Sequence, residues 1–170
     1  MIKVMLRKFL LLNEFHVKIF AVFFAMITPF IMITSGNILG SISRYWDTPY
    51  QPLFIMSNII CSYFFFSLKN WKIPSLFLIL VTSFNHYEFN LLHNIFAVSF
   101  YFACLYSLFK NKRFIIYRVL FILSIPIYFY SIILGEIISI IILCSYHLMV
   151  TLYTERLMKI KTSHSNKTKN

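Results

Sequence analysis

Six stretches of apolar side chains, separated by short polar links, dominate the chain. They run over residues 19–41, 51–68, 71–86, 90–109, 114–134 and 135–154. A helix that crosses a bilayer needs roughly 20 mainly apolar residues, and backbone polar groups within lipid must be satisfied inside the protein. The pattern therefore predicts an all-α fold, a polytopic transmembrane bundle of six helices.

The third stretch is the shortest of the six. Its apolar part covers only residues 73–84. A full crossing requires Trp71, Lys72 and the polar residues after Phe84 to complete the span at the two interfaces. Hydropathy alone does not separate five crossings from six.

Composition places most of the chain in lipid. Hydrophobic residues make up 59% of the sequence and charged residues 12%, although the net charge is +11. Lys and Arg occur in short clusters between the apolar stretches, as they do in the loops of membrane proteins. We therefore interpret the basic balance as a signal of topology and expect no nucleic-acid partner.

The basic residues also give the predicted bundle an orientation, because Lys and Arg near span ends are retained in the cytoplasm. With six spans and a cytoplasmic N-terminus, all 16 Lys and Arg residues except Arg44 fall on the cytoplasmic side. If residues 71–86 did not cross, the basic turn at 110–113 would lie outside. The distribution favours six spans in a bacterial plasma membrane, with both termini in the cytoplasm.

Three regions follow from these patterns. Residues 1–18 mix basic and apolar side chains, which predicts an amphipathic helix at the membrane surface. A cleaved signal peptide is the alternative, although Asn13, Glu14 and Lys18 interrupt its apolar run. Residues 19–155 form the transmembrane domain, and the polar residues 156–170 predict a disordered, basic cytoplasmic tail.

Several residues inside the apolar stretches have structural interpretations. Pro29 and Pro126 lie in mid-span and predict kinks, since proline cannot donate a backbone hydrogen bond. Cys61, Cys104 and Cys144 are far apart in sequence and are expected to be buried as free thiols.

Polar residues that could bind a ligand or take part in catalysis lie together on the predicted outer side. The ligand-binding candidates there are Arg44, Asn58, His86, Glu88, His93, Asn94 and Glu136, and Asp47 lies at the same level. His93 and Asn94 sit one turn inside a helix, where polar groups usually face a bundle interior or a water cavity. We predict an outward-facing polar pocket; the alternative is that these residues only solvate loops or, for Glu136, mark a helix start.

Three short segments carry a resemblance to known proteins: residues 41–48, 92–97 and 116–119. With them, the chain resembles a family of uncharacterised bacterial six-span membrane proteins over roughly residues 35–155. It is distantly similar to the superfamily of alkaline ceramidases and progestin-receptor-like proteins. The resemblance implies a membrane hydrolase with a serine, an aspartate and histidine metal ligands.

The hydrolase pattern is degenerate in this chain. Ser43 matches its serine, but Asp47 stands where the pattern has histidine, and Asn58 takes the place of its aspartate. The last span also lacks a pair of histidines four residues apart. His93 is additionally similar to a histidine at a helix start in Frag1/DRAM-type proteins, which implies a non-enzymatic role.

The leading functional prediction is a non-enzymatic membrane component that binds a lipid or a membrane protein partner and needs no cofactor. The alternative is a metal-dependent lipid hydrolase, with Asp47, His86 and His93 as candidate zinc ligands and with Ser43 and Asp47 as candidate catalytic residues. A small channel or transporter is a third class, which would require acidic residues deep in the membrane.

Overall fold

The structure is a computed structural model that describes residues 14–36 and 38–167. Most of the predicted amphipathic segment 1–18 therefore lies outside the described residues. All regular elements of the described chain are helices, which confirms the all-α fold class. Its α-helices are α1 Glu14–Ser35, α2 Gln51–Phe66, α3 Lys72–Ser83, α4 Asn90–Lys110, α5 Ile115–Leu123, α6 Ile125–Tyr130 and α7 Ile132–Lys167, with short 3₁₀ helices at Ile42–Asp47 and Lys112–Phe114.

Three stretches of the described chain are long and apolar enough to cross a membrane: Asn90–Lys110, Lys112–Tyr130 and Ile132–Thr154. The apolar parts of the first three helices, Phe15–Ile31, Gln51–Phe66 and Lys72–Ser83, are shorter. At about 1.5 Å per residue, the 12 residues of α3 span about 18 Å. The third helix is thus short, as its sequence predicts.

The predicted fifth span is broken at its proline. Helix α5 ends at Leu123 and α6 begins at Ile125, with Pro126 in its first turn. Hydroxyl groups bind the backbone at this break, because Ser124 Oγ donates to the Phe121 carbonyl at 2.6 Å and Tyr101 Oη donates to the same oxygen. These bonds add side-chain donors to a backbone carbonyl in the last turn of α5.

The boundary between the last two predicted spans lies earlier than expected. Ser131 is extended and separates α6 from α7, so the last helix begins at Ile132 and not at residue 135. Helix α6 folds back closely on α7, since a Cβ added to Gly135 would lie 2.6 Å from the Tyr128 ring. The Tyr128 hydroxyl also donates to Ser139 Oγ on α7 at 3.3 Å.

Helix α7 continues through Lys167. The sequence instead predicts a disordered tail over 156–170, of which 168–170 lie outside the described residues. No Pro or Gly follows Gly135 to interrupt the helix.

The interior is unusual in combining large apolar groups with many small hydroxyls. Its larger cluster includes Phe65, Trp71, Leu108 and Phe121. Eleven Ser and Thr side chains of the described chain are also buried, namely Thr28, Ser41, Ser43, Ser57, Ser62, Ser75, Thr82, Ser107, Ser124, Ser139 and Thr151. The three cysteines are free and buried, as predicted.

The fold gathers the chain's links at two ends. At the end that we call the basic end, the start of α1 meets the α2–α3 link, the end of α4 and residues 146–150 of α7. At the other end, which we call the acidic end, the 42–47 segment meets Thr82 of α3 and Glu136 of α7, and His93 meets Phe84.

Candidate functional site

Glu136 holds the 42–47 segment against α7. Its Oε2 accepts a hydrogen bond from the backbone N–H of Ile42 at 2.7 Å, across 94 residues of sequence. Ile42 is the first residue of the 3₁₀ helix, where N–H groups have no helical acceptor. Glu136 therefore caps this segment, a role that its position in the sequence does not reveal.

The 42–47 segment is also anchored through its aromatic residues. Tyr45 is buried with Phe54 and Ile133 in a small apolar cluster, and Trp46 packs against it. Trp46 Nε1 donates a 2.8 Å hydrogen bond to the Thr82 carbonyl near the end of α3. Together with Glu136, these contacts tie the segment to α2, α3 and α7.

Replacing Trp46 by phenylalanine is expected to reduce the free energy of unfolding by about 1 kcal/mol, because the aromatic packing remains while the bond to Thr82 is lost. Chemical unfolding of the purified protein in detergent measures this. Tyr130→Phe is the control, since Tyr130 is 88% exposed. Equal stability of the Trp46→Phe protein and the wild type would contradict the anchoring role.

Ser43, the predicted catalytic serine, is buried within the same segment. Its hydroxyl lies 3.0 Å from that of Ser41. Asp47, the other catalytic candidate, is exposed at the end of the 3₁₀ helix.

His86 and His93 are the two predicted ligands that the fold brings together. Their ring centroids lie 5.4 Å apart at an interplanar angle of 73°. His93 is 4% exposed, and its Nδ1 lies 2.8 Å from the Phe84 carbonyl. A carbonyl only accepts, so Nδ1 carries the proton. His86 Nδ1 is buried and has no hydrogen-bond partner in residues 14–36 and 38–167.

The other ligand candidates do not join this pair through any hydrogen bond seen in the described chain. Arg44, Glu88 and Asn94 are exposed. Asn94 donates to Asn90 one turn earlier, and Asn58 donates to the Phe54 carbonyl at 3.0 Å within α2. Their described bonds are local to their own helices.

The zinc alternative requires at least three ligands close together. Within residues 14–36 and 38–167, no group of three or more His, Cys, Asp or Glu side chains is arranged to hold a metal ion. The histidine pair supplies two ligands, and Asp47 does not complete the set.

A second polar region, which the sequence does not single out, lies at the basic end. A cavity of about 210 Å³ opens there among α1, the α2–α3 link, α4 and α7. Its polar wall consists of Lys18, Lys69, Asn70, Lys110, Asn111 and His147. The sequence treats these lysines only as markers of topology, and nothing in their spacing shows that they converge.

His147 is the most deeply buried polar residue of this cavity. It is 1% exposed, and neither ring nitrogen has a hydrogen-bond partner within the described part of the chain. Aromatic side chains surround the ring, with the Trp71 centroid at 4.3 Å and the Phe65 centroid at 4.8 Å. Buried polar groups are normally hydrogen-bonded, so a histidine without partners beside a cavity indicates a place for a ligand or water.

Comparisons of the chain with protein families, with curated proteins and with solved structures find no match. The functional interpretation therefore rests on the chain's own residues.

Proposed function

We propose that the chain is a six-span membrane protein with both termini in the cytoplasm, and that it acts as a non-enzymatic component that binds lipid. One observation carries this proposal: the bundle is apolar outside and rich in hydroxyls inside. A protein folded in water shows the reverse arrangement.

Helix α2 shows this arrangement of an apolar exterior and buried hydroxyl groups. Its exposed side chains include Leu53, Met56, Ile59, Tyr63 and Phe66, which recur at three- to four-residue spacing and are each 47–59% exposed. The opposite face buries Ser57 and Ser62. In lipid, large apolar groups are well solvated, whereas small hydroxyl residues let helices approach closely and bond across their interface.

Hydrogen bonds between helices follow the same pattern. Ser75 on α3 donates to the Ser62 carbonyl of α2 at 2.6 Å, and Thr28 on α1 lies 3.3 Å from Ser57 of α2. Ser124 and Ser139 are 3.1 Å apart at the α5–α6 break and on α7. These contacts support a bundle assembled inside a membrane.

The alternation of links between the two ends supports six crossings. When α5 and α6 are counted as one broken span, successive links lie alternately at the acidic end and the basic end from α1 to α7. Helix α3 connects Trp71 at the basic end with Thr82 at the acidic end. Its short length is then accommodated by interfacial residues or local thinning of the bilayer.

A structural role for the acidic end supports a non-enzymatic function. Glu136 and His93 each bind a backbone group of a neighbouring segment. Both side chains thereby position the links between helices.

Membrane fractions and purified protein test the proposed function. We expect the chain to stay in the membrane fraction after alkaline carbonate extraction. We expect the purified protein to retain phospholipid through detergent exchange, as seen by native mass spectrometry. Stoichiometric zinc or iron, together with lipid hydrolysis that chelation abolishes and that Asp47→Asn or His93→Ala removes, would overturn it.

A further inference from the structure

The cavity at the basic end has the charge of an anion site. Lys69 and Lys110 border it with exposed side chains, and no Asp or Glu is found among the described residues of its wall. Basic side chains that border one small space repel each other, and a bound anion relieves that repulsion. The volume of about 210 Å³ is far more than the roughly 10–15 Å³ that one water molecule needs.

His147 adds a hydrogen-bond donor to this site. A neutral imidazole has one N–H donor, and neither nitrogen of His147 has a hydrogen-bond partner among the described residues. A buried donor without an acceptor is destabilising, typically by about 1–3 kcal/mol. An oxyanion beside the ring would supply the missing acceptor.

We propose that this cavity binds a phosphate group, either that of an anionic lipid headgroup or free phosphate. Lysine binds phosphate as a point charge, and basic pockets between membrane helices on the cytoplasmic side are typical sites for anionic headgroups. The cavity's placement at the headgroup level rests on the proposed function. Trp71 and Tyr146 in its wall are residue types enriched at that level.

The test measures binding of phosphatidylglycerol to the full chain in detergent at 0.15 M salt, where diffuse surface attraction is screened. Lys69→Gln with Lys110→Gln removes two charges of the cavity. We expect binding to weaken about 30-fold. The control, Lys72→Gln with Lys112→Gln, removes two exposed charges that do not line the cavity, and should change binding by less than about threefold. The proposal would be overturned if both double variants weakened lipid binding equally, or if neither weakened it.

His147→Leu provides a second variant. It removes the imidazole, which is both the donor and a buried polar group with no hydrogen-bond partner among the residues that the structure describes. We expect binding to weaken about tenfold while the unfolding temperature without ligand is unchanged or higher, because the buried polar group is lost. Unaltered affinity in a folded His147→Leu protein would remove the histidine from the site and contradict the proposal.

Inorganic phosphate distinguishes the two sources. If inorganic phosphate competes with phosphatidylglycerol, and this competition is lost in the Lys69→Gln, Lys110→Gln protein, the site also binds free phosphate. Lipid binding without competition supports a headgroup site. If the lysines prove irrelevant while phospholipid still copurifies, the cavity proposal fails and the proposed function stands; failure of carbonate-resistant membrane retention would instead refute the proposed function.

Discussion

Replacing Gly135 by alanine is expected to lower the free energy of unfolding by about 1–3 kcal/mol, the usual effect of overpacking a buried contact. The new Cβ would lie 2.6 Å from Cγ and Cδ2 of Tyr128. The ring cannot swing aside freely, because its hydroxyl bonds Ser139 and its edge meets the Tyr101 ring at 5.7 Å. Helix α6 must therefore move away from α7.

Two further variants make this expectation specific. Gly40→Ala is the matched control, since its Cβ would only meet the Arg44 guanidinium at 3.4 Å; we expect a change below about 0.5 kcal/mol. Adding Tyr128→Ala to Gly135→Ala should cost less than the sum of the two single changes, because the clash is absent from the double variant. Additive effects in chemical unfolding would contradict the close packing of α6 on α7.

Replacing Glu136 by leucine is expected to lower stability by about 1–3 kcal/mol, because the Ile42 N–H loses its acceptor. Glutamine keeps a carbonyl oxygen at the same position and should cost less than about 1 kcal/mol. Unfolding of the purified proteins in detergent gives both values.

Hydrogen exchange locates the effect of Glu136→Leu. The amide of Ile42 should exchange faster in this variant, while amides in the middle of α4 stay protected. If the leucine and glutamine variants are equally stable and Ile42 exchanges at the wild-type rate in both, Glu136 does not cap the 42–47 segment.

The apolar stretches of the sequence locate the helices well, since burial in lipid or in the bundle depends on local composition. Pro126 likewise predicts the break after Leu123, because a missing N–H acts within one helical turn. The start of α7 cannot be predicted from apolar stretches or prolines in the same way. Residues 132–134 are as apolar as the helix before them, so only the backbone at Ser131 reveals the boundary.

The candidate site is harder to predict, because its contacts join distant parts of the chain. Glu136 and His93 stand out in the sequence as polar residues within apolar stretches. Their hydrogen-bond partners, however, are the Ile42 N–H and the Phe84 carbonyl, which are backbone groups that almost any residue could supply. The basic cavity is invisible for a related reason. The sequence identifies Lys69 and Lys110 as cytoplasmic charges, but it does not show that both line the same cavity as His147.

The membrane crossing of α3 decides the topology, because α3 separates the basic end from the acidic end. Thiol labelling tests it in a protein whose native cysteines are replaced. Lys69→Cys and Tyr87→Cys place exposed thiols on either side of α3. In right-side-out membrane vesicles, a membrane-impermeant maleimide should label the thiol at 87 and reach the one at 69 only after permeabilisation. Labelling of both thiols in intact vesicles, or of neither, would place them on one side and contradict the six-span bundle.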